Sequence, residues 1–81
     1  MKRKEVYKLI DGERAYQDSR WARPDTDKET TVASWIIYIE KKLDEAKDKI
    51  YWLDNNAALE RIRQIAALAV VCMENNDTPP R

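Results

Sequence analysis

The chain has 81 residues, of which 15 are basic and 15 acidic, so its formal charge cancels and it lacks the positive field that drives non-specific DNA binding. With no His and a single Cys, it offers no intrachain disulfide, no Cys/His zinc spacing and no histidine base. One Gly and three Pro supply few of the turns that a β-fold requires, so the expected class is all-α.

Residues 1–10 open with a basic Met1-Lys2-Arg3-Lys4, but no apolar stretch of secretory type follows. This segment reads as an arm, with a first helical turn left open by Val6-Tyr7 and Leu9-Ile10. Asp11 is a plausible N-cap for a short helix over 11–23, stopped by Pro24, which disfavours helical geometry at Arg23. Within it Arg14, Tyr16, Arg20, Trp21 and Arg23 alternate cationic forks with aromatic rings. Arginine grips phosphate bidentately and an aromatic face stacks on a base, so this mixture suits a nucleotide-like ligand. The plainer reading is a docking helix with Tyr16 and Trp21 on its apolar side.

Residues 24–30 are polar and aperiodic, and read as a loop. Thr30 or Thr31 then caps a long helix over 31–53, in which Val32, Ile36, Ile39, Leu43, Ala46, Ile50 and Leu53 recur in steps of four and three, as a heptad seam does. Beside the seam lie Trp35, Tyr38 and Trp52, which fit a subunit interface better than a ligand stack. Glu45-x-x-Asp48 is a spacing at which two carboxylates could share magnesium. Those acids alternate with Lys41, Lys42, Lys47 and Lys49, so a solvated, salt-bridged face is the stronger reading, with no metal expected.

Asp54-Asn55-Asn56 both ends this helix and caps the next, over 57–74, and so short a connection makes the two an antiparallel pair. The second helix carries nine consecutive apolar residues at 65–73 (IAALAVVCM), too few for the roughly 20 that a membrane span needs. One stripe holds Leu59, Ile62, Ala66, Ala69 and Met73; an adjoining one holds Ile65, Leu68 and Cys72. Two stripes need two packing partners, the preceding helix and either the short helix or a second subunit. Ile65, Leu68 and Cys72 are accordingly candidate interface residues, and the thiol reads as packing rather than chemistry. Ala66, Ala67 and Ala69 let backbones approach closely, which favours an oligomeric bundle. Arg61 and Arg63, two residues apart, cannot both face the core; solvent is the plainer expectation, and a cleft between subunits, where they would meet ligand, makes them candidate ligand-binding residues as well. Residues 75–81 form a tail. These features describe a cytoplasmic homo-oligomer without membrane contact.

At residues 13–21 (ERAYQDSRW), 62–74 (IRQIAALAVVCME) and 79–81 (PPR) the chain resembles small phage-encoded proteins. More distantly it is similar to the MazG-like all-α nucleoside triphosphate pyrophosphohydrolases, a resemblance that covers about half of the chain. That family holds magnesium on an E-x-x-E pair and an E-x-x-D pair. The first could at best be Glu45 and Asp48 here, and the second stands as Glu60-x-x-Arg63, an arginine where a metal ligand is required. The resemblance therefore implies a non-catalytic phage protein that sequesters a nucleotide or a nucleotide-derived host immune signal, without a cofactor. The alternatives are a magnesium-dependent dNTP pyrophosphohydrolase and an inhibitor or adaptor of a host protein.

Overall fold

The structure, a computed structural model, describes residues 1–21 and 24–81, with only the backbone for 21, 24 and 25. Its described residues form four helices and no strands: α1 (Arg3–Trp21), α2 (Pro24–Glu29), α3 (Val32–Tyr51) and α4 (Asn55–Asn75). The all-α expectation holds. None of the described helices is long and apolar enough to cross a membrane.

Residues 1–10 and 11–21, expected as an arm and a separate short helix, are one continuous helix instead. Gly12 sits in its interior, where glycine costs about 1 kcal/mol relative to alanine. Packing overrides that cost, because Ile10, Glu13 and Gln17 recur at helical spacing and turn inward together. The expected loop at 24–30 likewise contains α2, which begins with Pro24 at the first helical position, where its missing N–H goes unneeded.

The other ends follow their side chains. Thr31 caps α3, its hydroxyl accepting from the Ser34 N–H at 3.1 Å, and Asp54 caps α4 by accepting from the Ala57 N–H at 3.0 Å. At the far end of α3, the Asp54 N–H donates to the Lys49 carbonyl and the Leu53 N–H to the Ile50 carbonyl, each at 2.9 Å. This is a Schellman closure, with Leu53 in the left-handed position (φ 59°) that glycine usually takes. The last carbonyls of α4 are met by Asn75 and Asn76, whose amides donate to Val71 and Cys72.

Helix α4 is the hub. Helices α1, α2 and α3 each pack against it, and α1 and α3 make no close backbone approach to one another. Arg61 and Arg63 show why. They leave α4 about 200° apart; Arg61 meets Glu45 of α3 at 3.4 Å, while Arg63 meets Glu13 of α1 at 2.9 Å. The flanking helices therefore lie on opposite sides of α4. Val6 and Leu9 of α1 line a groove with Asn56 and Leu59 of α4, and Arg14 and Gln17 share a cavity with Leu68 and Val71, so α1 runs parallel to α4. Helix α3 runs antiparallel to it, as Glu45 against Arg61 requires of a chain that turns at Leu53.

The core is thin. Its buried apolar residues are Trp35 and Ala46 of α3 and Ala58, Ala67 and Val71 of α4. Ala67 is fully buried, as close helix approach demands. The seam expected along α3 does not face α4 as a whole. Ala46 is buried and Ile39 half-buried, but Val32, Ile36, Leu43, Ile50 and Leu53 remain exposed. The inward stripe runs instead through Trp35, Ile39, Lys42, Ala46 and Lys49, one residue back from the seam at most turns. Large Trp35 pulls α3 round, and the bulk of the aliphatic seam is left outside.

Candidate functional site

Where the C-terminal halves of α1 and α4 meet the start of α3 and α2, a cavity of about 230 Å³ opens. Arg14, Gln17 and Asp18 reach it from α1, Thr26 and Asp27 from α2, Trp35 and Tyr38 from α3, and Leu68 and Val71 from α4. Each helix contributes for a local reason. Arg14 and Gln17 ride on the inward stripe of α1, and Trp35 stands one turn into α3, behind the Thr31 cap.

Trp35 is 5% exposed, and its indole Nε1–H finds no acceptor among the described residues. A buried donor without a partner is uncommon, since leaving it so costs about 1–3 kcal/mol. Tyr38 stands edge-on to it, ring centroids 5.8 Å apart at 84°. Gln17 is buried beside them, at 6% exposure.

Arg14 is clamped. Its guanidinium donates to Asp18 at 3.0 Å and to Glu74 at 3.3 Å. Burial works to lower its pKa, but the hydrogen bond and charge of Glu74, reinforced by Asp18, outweigh that and hold it above the ordinary arginine value. It is therefore a fixed cation already matched by carboxylates. With Asp18 and Asp27 both on the wall, the lining holds one positive and two negative groups. Such a cavity does not draw a phosphate; it suits a neutral planar group that both donates and accepts hydrogen bonds.

The structure brings together part of the candidate set. Arg14, expected to meet ligand, shares this cavity with Trp35, Tyr38 and Leu68, expected at an interface. Tyr16 and Arg20 pair with each other instead, the guanidinium 5.4 Å from the ring centroid on the outer side of α1. Trp21 ends α1, but its side chain and all of Arg23 lie outside the described residues. Arg61 and Arg63 are taken up by carboxylates of α3 and α1. Ile65 and Cys72 are half-buried within the chain, because α4 has neighbours on three sides. Trp52 is 71% exposed at the α3–α4 turn, edge-on to Tyr51.

Glu45 does not pair with Lys41 or Lys49. It lies between Lys42 and Arg61, at 3.5 and 3.4 Å. Asp48 joins it along one shallow depression, and among the described residues no three acidic, His or Cys side chains converge as a metal cluster would.

Glu13, Gln17, Asp18, Thr26 and Asp27 are not among the residues that the sequence singles out. A signal existed for the first two: with Ile10 they keep helical spacing, but their polarity disguises an inward stripe. No family model, curated protein or solved structure matches this chain.

Proposed function

We propose that this chain is a non-catalytic binding protein that sequesters a nucleotide-type ligand by taking its base into the Trp35 cavity. The observation that carries the reading is the buried Trp35, whose indole N–H has no acceptor among the described residues, on the wall of a cavity that it shares with an amide, carboxylates and a second aromatic ring. A heterocycle supplies what these groups lack: a ring nitrogen or carbonyl for the indole N–H, and N–H donors for Asp18 or Asp27. The resemblance to phage proteins extends the reading to nucleotide-derived host immune signals, held rather than turned over.

Thermal unfolding and tryptophan emission, followed with free bases, nucleosides and linear and cyclic nucleotides, test it. A ligand at a hundredfold excess over its Kd adds about 2.7 kcal/mol of stability. At this chain length each kcal/mol raises Tm by about 4–8 °C. Binding is expected to persist with free base, to change little between low and high salt, and to disappear in Trp35→Phe of unchanged helicity. No stabilisation by any member of the panel would overturn the reading.

A second reading rests on the turn apex. Tyr51, Trp52 and Leu53 are all strongly exposed, as anchors for a host protein would be. Recovery of one stoichiometric partner that Trp52→Ala releases, in the absence of nucleotide binding, favours it.

A further inference from the structure

Among the described residues, helix α4 has neighbours on three sides and none on the fourth. Ile62 lies about 100° from both Arg61 and Arg63, so it bisects the two flanking helices, and Leu59 stands one turn before it. Both are exposed, at 47% and 63%. On each side a groove runs from them. One, of about 530 Å³, reaches Leu43 and Ile50 of α3; the other, of about 360 Å³, reaches Val6 and Leu9 of α1. Six exposed aliphatic side chains from three helices thus make one continuous face. It includes the part of the α3 seam that α4 leaves uncovered.

We propose that a second copy of this chain closes that face, as a two-fold dimer. The surface area argues for it. The chain exposes 6708 Å² at a mass of 9.6 kDa, where a folded monomer of that mass exposes about 5,100 Å². The excess, roughly 1,600 Å², is twice the area that each partner buries in an interface of standard size. The radius of gyration agrees, at 13.4 Å against about 11.7 Å for a compact domain of this length.

Sedimentation across a concentration series tests the proposal on the whole chain. The wild type is expected as a dimer. Leu59→Glu and Ile62→Glu each raise the dissociation constant by about thirtyfold or more. Because both side chains are exposed, helicity by circular dichroism is expected to stay unchanged. A wild type that stays monomeric, or a dimer that survives Leu59→Glu combined with Ile62→Glu, overturns the proposal. The Trp35 cavity lies at the other end of α4, so a monomeric Leu59→Glu variant keeps its ligand response, and each proposal can fail alone.

Discussion

Glu13 and Arg63 show how a single pair can be lopsided. The carboxylate is 7% exposed and its partner guanidinium 41%, so only one of the two depends on the other for its solvation. Arg63→Ala strands a buried charge and is expected to cost about 3 kcal/mol. Glu13→Gln keeps an acceptor for the half-solvated arginine and is expected to cost about 1 kcal/mol. Urea unfolding of the two variants checks the order; equal losses would refute the asymmetry. Gly12 offers a change in the opposite direction. It lies within α1, and a Cβ there would meet nothing within 4 Å. Gly12→Ala is therefore expected to stabilise the fold by about 0.5–1 kcal/mol, read as a rise in Tm. Arg14 brings no pH switch of its own. Its folded pKa is raised, so the stability linked to it is complete below the ordinary arginine range and is lost only as pH climbs past the raised value. At this scale the sequence is partly readable: the chemistry of Arg14 makes it a candidate and the structure sets it on the cavity wall, whereas residue type alone does not reveal Glu13 and Gln17 as buried polar groups.

Among the elements, α3 and α4 stand close to their expected positions because their caps are written in side chains: Thr31 before one, Asp54 before the other. Helix α1 was harder to read. Asp11-Gly12 is a stop signal locally, and only contact with α4 carries the helix through it. The rotation of α3 had no local signal at all. Its apolar residues cover more of the helix surface than one neighbour can bury, so the position of Trp35 decides which part turns inward. The turn after α3 holds a further test. Leu53 adopts φ 59° with 90% of its surface exposed, so it bears the left-handed penalty without a burial gain of its own. Leu53→Gly is expected to stabilise the chain by about 1 kcal/mol, measured by chemical denaturation. If it does so while abolishing capture of a host protein, the exposed leucine serves recognition at the expense of stability.

Across the whole molecule, the two candidate surfaces divide α4 between them. Trp35, Tyr38, Leu68 and Val71 enclose the cavity at its C-terminal half; Leu59 and Ile62 offer the open face at its N-terminal half. The assembly expected from the apolar run at 65–73 is thus relocated by our proposal. That run is largely occupied by the chain's own helices, and the surface left for a partner lies a few turns earlier. The sequence could show that α4 needs several neighbours. It could not show which of its sides those neighbours would leave uncovered, because that depends on how α1 and α3 are rotated.

The backbones of α1 and α3 each approach α4 closely but not each other, so each flanking helix owes most of its packing to α4 and can detach with the other still in place. In amide hydrogen exchange this arrangement has a definite signature. Protons near Ala67 and Val71 can exchange only when the whole chain opens, whereas those of α1 exchange through a smaller opening that leaves α3 and α4 paired. In low denaturant, α1 amides are therefore expected to exchange faster than those at the middle of α4, and to converge with them only as global unfolding takes over. Identical rates throughout would mean that the flanking helices are coupled by something other than the helix between them.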